Sequence, residues 1–217
     1  MFFPYRDDNP RVIVPYVTYT ILGINIAAFL LQLATPPEVT YRFAIIPKMA
    51  SVDPGHYGLT LFTSMFLHGG FPHLAGNMLY LWIFSDNVEG ILGHTRFTLF
   101  YLVCGLAAGL LQTVIDPGST VPVIGASGAI AGVLGAYMIT FPRARVHALI
   151  FLFWYITTVR IPAVYVLGFW FLIQVTNGLA MMGINTTGGV AWFAHIGGFV
   201  AGIGLVRLLT LIRVEKI

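Results

Sequence analysis

The sequence predicts an all-α membrane protein, a bundle of six transmembrane helices. Three observations carry this. Hydrophobic residues make up 58% of the chain and charged residues 9%, with a mean hydropathy of +0.86. Soluble domains average about 25% charged residues, and a soluble chain this poor in charge would expose large apolar patches and aggregate. Second, the apolar residues gather into six segments near the ~20 residues a helix needs to cross the hydrocarbon. Third, the basic residues fall unevenly between alternate connections, as they do in polytopic proteins.

The segments are Pro15–Ala34, Pro72–Gly90, Thr95–Ile115, Gly125–Phe141, Pro162–Met182 and Val190–Ile212. Lipid offers no partner for backbone N–H and C=O groups, so each segment is expected to be a helix. The alternating pattern of a membrane β-barrel is absent. Turn-rich stretches punctuate the chain: "TPPEV" ends the first segment and "DPGSTVP" separates the third from the fourth. "FPRARV" follows the fourth, and "GINTTGG" precedes the sixth. The segment His147–Arg160 is apolar, rich in β-branched and aromatic residues and short for a span, so it is expected to form a hairpin or an interfacial piece. The first loop, from about Thr35 to Phe71, is too apolar to hang free and is expected to rest partly in the interface as an Ω-like or helical lid. The start, "MFFPYRDDNPRVIVP", does not read as a cleaved signal peptide. The chain is expected to be one domain, residues 1–217, with short cytoplasmic N- and C-terminal tails.

With six spans both ends of the chain share a side. That side holds Arg6, Arg11, Arg96, Arg143, Arg145, Arg160, Arg207, Arg213 and Lys216, and the opposite side only Arg42 and Lys48. The positive-inside rule makes the first side cytoplasmic. A seventh span would move Arg207, Arg213 and Lys216 outside and spoil the asymmetry. The net charge of +3 is no nucleic-acid signal, and the single cysteine, Cys104, excludes an internal disulfide and a cysteine-pair metal site.

Strongly polar groups inside spans are costly and tend to mark function. His73 and Asn77 stand four residues apart near the start of the second segment, on one helix face. Ser127 opens the fourth segment within "PVIGASGAIAG", and His195 lies near the start of the sixth within "AWFAHIGGFVAG". All three segments run inward from the outer side, so the four groups share a depth. A serine hydroxyl becomes a nucleophile when a base takes its proton, and neutral imidazole is suited to that task. Helix-start N–H groups and His or Asn side chains can hold an oxyanion. No carboxylate lies at matching depth, which points away from a Ser–His–Asp triad and toward a Ser–His dyad. Gly128-x-x-x-Gly132 and Gly198-x-x-x-Gly202 would let the fourth and sixth helices approach closely.

Each feature has a plainer reading. A serine at a helix start is usually a cap, a membrane histidine is usually a packing residue, and GxxxG is common in bundles. His56, His68, His94 and His147 are read as loop, interface or structural residues, and Asn25, Gln32, Gln112, Gln174 and Asn177 as hydrogen-bonding glue between helices. Trp82, Trp154, Trp170 and Trp192 read as anchors and packing.

Taken together, His73-x-x-x-Asn77, "GASGAIAG" around Ser127 and "AHIGGFVAG" around His195 resemble the rhomboid family of intramembrane serine proteases, over nearly the whole chain. The resemblance implies a six-helix rhomboid-like bundle around a water-filled cavity open to the non-cytoplasmic side. It implies Ser127 as nucleophile, His195 as general base and acid, and His73, Asn77 and the Ser127 N–H as the oxyanion site. The fifth span and "GINTTGG" would form a lateral gate and cap. The implied substrates are single-pass membrane proteins cut in or near their transmembrane helix, with the lipid bilayer as surroundings and no metal, nucleotide, nucleic acid or other cofactor. The compact form, which does not read as carrying an organelle-targeting leader, sets the expectation of a cell membrane, a prokaryotic one. Two positions depart from familiar members. Ala131 stands where some carry a tyrosine packed on the base, which leaves Trp192 or Phe193 to orient His195, and Tyr41-Arg42 stands where some carry Trp-Arg. The rival readings are a catalytically silent chaperone that binds client helices, and a small transporter. The scarcity of ionisable groups in the cytoplasmic halves and the absence of evident broken-helix repeats argue against the transporter.

Overall fold

A computed structural model describes residues 2–152, 154–183 and 188–214. The chain begins with β1 (Phe2–Asp7) and the long helix α1 (Tyr16–Leu33). Three short helices follow, α2 (Pro37–Phe43), α3 (Met49–Val52) and α4 (Pro54–Thr63), then a 3-10 turn over Ser64–Phe66. Next come α5 (Phe71–Leu92), α6 (His94–Ile115) and α7 (Ser127–Thr140). The hairpin β2 (Arg145–Leu152) and β3 (Tyr155–Pro162) leads into α8 (Ala163–Met181) and α9 (Trp192–Val214). Each of the six expected segments thus coincides with a helix. Of the two forms expected for the first loop, Ω-like or helical, the chain takes the helical one, in α2, α3 and α4.

Four helices, α1, α6, α8 and α9, are long and apolar enough to cross a membrane. The other two differ for physical reasons. Helix α5 has the length but carries Asp86 and Glu89 near its C-terminal end. Helix α7 has only 14 residues, and every residue from Gly128 to Tyr137 is buried. A helix enclosed by protein on all sides has its surroundings set by neighbouring helices, so it need not match the thickness of the lipid.

An all-α chain is not what folds. Three antiparallel strands pair in the order β1-β2-β3. The β2–β3 ladder runs from Arg145 opposite Pro162 to Leu152 opposite Tyr155, so the segment 147–160 is a hairpin. Its β-branched and aromatic residues favour a pleated surface over a helix too short to span. The N-terminal residues, expected to be part of a tail, supply the third strand, with a register shift between Pro4 and Arg6. The sheet is tied to the bundle beneath it. Tyr137 of α7 donates its hydroxyl to the Asp7 carboxylate, the Asn9 amide donates to the Tyr137 oxygen at 3.1 Å, and the backbone N–H of Arg145 donates to Asp8 Oδ1 at 2.6 Å.

At the same end, α1 starts at Pro15, which caps nothing with its side chain. The buried carboxylate of Glu89 does this work from α5. It accepts from the N–H groups of Val17 (3.0 Å) and Thr18 (2.8 Å) and from the Thr18 hydroxyl (2.7 Å). Orphan N–H groups of a first turn thereby find an anion, which the helix dipole also favours. His94 Nδ1 lies 2.6 Å from the same carboxylate.

Candidate active site

Helix α7 sits at the centre and α9 packs against it through glycine. A Cβ placed on Gly198 would collide with the carbonyl of Gly128, and one on Gly202 with the carbonyl of Gly132. On its other side α7 meets α6, where a Cβ on Gly132 would come within 2.5 Å of Cys104. Backbone thus lies on backbone along the α7–α9 seam, as the paired GxxxG motifs predicted.

This seam brings two of the candidate residues into contact. Ser127, the first residue of α7, and His195, in the first turn of α9, meet with Ser127 Oγ 2.8 Å from His195 Nε2. The other two approach from α5. His73 Nδ1 accepts the N–H of Gly69 at 3.3 Å, which leaves Nε2 to carry the ring proton. A Cβ on Gly125 would lie 2.8 Å from His73 Nε2 and 3.6 Å from Asn77 Nδ2, so both nitrogens face the backbone just before Ser127. Gly125 has φ +125°, a conformation that side chains disfavour, and its N–H donates to Ser64 O at 2.9 Å. Space and backbone together require glycine there. The Asn77 amide nitrogen is buried without a hydrogen-bond partner, an expensive state for a donor unless a ligand atom arrives. As the first residue of α7, Ser127 has a backbone N–H with no partner inside the helix.

His73, Asn77, Ser127 and His195 line one cavity of about 870 Å³, whose rim includes Gln112, Asp116 and Val121. A second opening of about 300 Å³, between α5 and α8, reaches the same four residues past Tyr80 and Trp170. The cap expected over "GINTTGG" includes residues 184–187, which lie outside the described residues.

The surroundings of His195 differ from expectation. Trp192 and Phe193 pack toward Gly178 of α8. The imidazole is instead met by Gln174, whose Oε1 lies 2.8 Å from His195 Nδ1, and by the ring of Trp170, 5.6 Å away between centroids. Both belong to α8. In the sequence Gln174 reads as one more helix-gluing amide; its contact with His195 depends on how α8 is rotated against α9, and no motif announces it.

His68 forms the other wall behind His73, with ring centroids 5.2 Å apart in an edge-to-face arrangement. It is 3% exposed, and neither ring nitrogen has a partner. Burial, reinforced by His73, holds its pKa down at about 4, so it is neutral at ordinary pH. Gln32 of α1 brackets its backbone, accepting from His68 N at 3.0 Å and donating to His68 O at 3.2 Å.

Chemically, the arrangement offers a hydroxyl paired with an imidazole and donors gathered beside the hydroxyl, all opening on a polar cavity. The Rhomboid domain pattern matches residues 56–211. The chain is 30% identical over 208 residues to Rhomboid protein 1, mitochondrial, of Saccharomyces cerevisiae, covering 93% of this chain and 54% of that one. It is 32% identical over 192 residues to Rhomboid protease GluP of Bacillus subtilis, covering 87% and 34%. It is 40% identical over 91 residues to the human presenilin-associated rhomboid-like protein, mitochondrial, covering 41% and 24%. The chain therefore spans about half the length of the yeast relative and a third of GluP. With four helices fit to cross a bilayer it is a multi-pass membrane protein. The chain belongs to the rhomboid family.

Proposed function

We propose that this protein is an intramembrane serine endopeptidase that cuts single-pass membrane proteins in or near their transmembrane helix. The observation that carries the reading is the 2.8 Å contact between Ser127 Oγ and His195 Nε2 beside the unpaired Asn77 amide. His195 Nε2 takes the hydroxyl proton as Ser127 Oγ attacks the scissile carbonyl. The Ser127 N–H, His73 Nε2 and Asn77 Nδ2 hold the resulting oxyanion. His195 then gives its proton to the leaving amine, the C–N bond breaks, and an acyl-enzyme remains. Water from the cavity hydrolyses it, with His195 again acting as base. A helical substrate shields its own amides, so it must unwind locally before attack, which Gly or Pro in the substrate helix would ease.

In this reading α5 and α7 cross the membrane with the other four long helices, giving six spans. The sheet end, with Arg6, Arg143, Arg145 and Arg160, faces the cytoplasm of a cell membrane together with both chain ends, and the cavity opens on the other side. The relative named a protease supports the activity.

The test is cleavage of a model single-pass substrate in liposomes, with a fluorophosphonate probe for Ser127. Wild-type cleavage, lost by at least about 10³-fold in Ser127→Ala and His195→Ala, with labelling confined to Ser127, is expected. Cleavage that survives Ser127→Ala removes the nucleophile. A folded protein with neither cleavage nor labelling is a client-binding member of the family.

A further inference from the structure

We propose that Gln174 is a positioning residue for His195, keeping the ring proton on Nδ1 so that Nε2 is free to accept from Ser127; this rests on the hydrolase reading of the pair.

The hydrogen-bond arrangement forces the assignment. Gln174 is 4% exposed, so its amide has no water to fall back on. Its Nε2 donates to the carbonyl oxygen of Trp170 at 3.0 Å. A carbonyl only accepts, so turning the amide over would set two acceptors against each other. The orientation that remains points Oε1 at His195 Nδ1, 2.8 Å away. An amide oxygen also only accepts, so Nδ1 must carry the hydrogen. A neutral imidazole has one hydrogen, and Nε2, 2.8 Å from Ser127 Oγ, is left with its lone pair. The base is thus set in its working tautomer before substrate arrives. Trp170, one turn earlier on α8, lies against the same ring and limits its tilt.

The substitution for the usual carboxylate has a consequence. Among the described residues, the titratable groups that face His195 are His73 and Tyr80 from α5 and, on the cavity rim, Asp116 after α6. Helices α7 and α8 present Ser127, Gln174 and Trp170, none of them charged. The amide orients the ring without adding a negative charge to stabilise the imidazolium. A carboxylate at the same place would do both, which separates orientation from charge experimentally.

The experiment uses the full chain in detergent with histidine labelled in its ring nitrogens, His195 being assigned by subtraction of the His195→Ala spectrum. Expected in wild type is a His195 ring protonated on Nδ1 with an unprotonated Nε2. Gln174→Leu, which removes the acceptor, is expected to lose that single tautomer and to lower kcat by about 10- to 100-fold, the range typical of residues that orient a working group, with KM within about twofold. Gln174→Glu keeps the acceptor and nearly the volume. It is expected to retain the tautomer and to move the acidic limb of the kcat/KM profile to higher pH, a change that packing alone would not produce. If Gln174→Leu does not fold, the Glu variant carries the test. A wild-type ring protonated on Nε2, or a Leu variant with the wild-type ring spectrum and kcat, overturns the proposal. So does a Glu variant whose pH profile stays in place. The ring spectra are read on folded protein whether or not it cleaves, whereas failure of the hydrolase reading is reported separately, by Ser127 refusing the fluorophosphonate.

Discussion

Two of the neighbours of helix α9, α7 and α8, hold it in opposite ways. Against α7 it lies backbone to backbone, with Gly198 on Gly128 and Gly202 on Gly132. Nothing there can rotate aside, because the atoms in contact are carbonyls and α-carbons. Against α8 it is met by large side chains: Phe171 stacks on Phe199 at 4.3 Å, and Trp170 lies near both Phe199 and His195. Helix α8 buries only Ala163, Leu167, Gln174 and Gly178, and it exposes Tyr165, Phe169, Leu172 and Leu179. One seam, stiff because it is backbone, therefore sets how near Ser127 comes to His195, and the other, of side chains, sets how the imidazole is turned.

The largest effect should come from breaking the stiff seam. Gly198→Ala adds one carbon, and that carbon falls on the Gly128 carbonyl, so the helices must part. Overpacking against backbone is expected to cost at least about 3 kcal/mol, read as a drop in the thermal midpoint in detergent together with loss of cleavage. Gly168→Ala on α8 is the control. Its new carbon would meet only Met138 Sδ at 3.9 Å, an ordinary contact. Alanine also suits a helix better, so this variant should be neutral or more stable by up to about 1 kcal/mol. Equal damage from both substitutions would mean that the backbone contact at Gly198 is no tighter than the loose contact between α8 and α7 at Met138.

A smaller effect should come from loosening the α8 side. Phe171→Ala removes the stack on Phe199 and is expected to cost about 1–3 kcal/mol locally. Backbone amides of α8 should exchange faster while those of α7 keep their protection. Cleavage should fall less than it does in Gly198→Ala. Faster exchange spread evenly over α7 and α8 would show one cooperative unit in place of two seams of different stiffness.

How much of this could be read beforehand follows the same division. That Ser127, His195, His73 and Asn77 gather at one cavity was legible, because Ser127 and His195 open helices that carry GxxxG, His73 and Asn77 stand one turn apart near the start of a third, and helices that start at one end bring their first turns together. Gln174 was not legible. A glutamine in an apolar span reads as glue, and only the rotation of α8 turns it toward Nδ1. The β2–β3 hairpin was half legible from its β-branched and aromatic run. Strand β1 was hidden, because a short stretch holding Pro4, Arg6 and Asp7 has no pattern of its own and becomes a strand only by pairing with β2.

The smallest expected effect lies at the far end of α7, where the stiff core meets the sheet. Burial holds the Asp7 carboxyl at about 6, against 3.8 for the free group; the Tyr137 hydrogen bond pulls it down and Asp86 pushes it up, but burial wins. In the unfolded chain this group loses its proton near 3.8, and in the folded one near 6. Between those values the folded state binds more protons, so folding loses stability as pH rises. The contribution is fully present below about 4 and gone once pH has passed through about 6. Amides of β1 should therefore exchange more slowly, relative to their intrinsic rates, at about pH 4.5 than at about pH 7.5. Asp7→Asn should flatten that dependence while leaving cleavage unchanged, because Ser127 stands at the opposite end of α7 from Tyr137. A slope that persisted in the Asn variant would assign the titration to another group, and a fall in cleavage would mean that the stiff helix transmits the state of the sheet to the site.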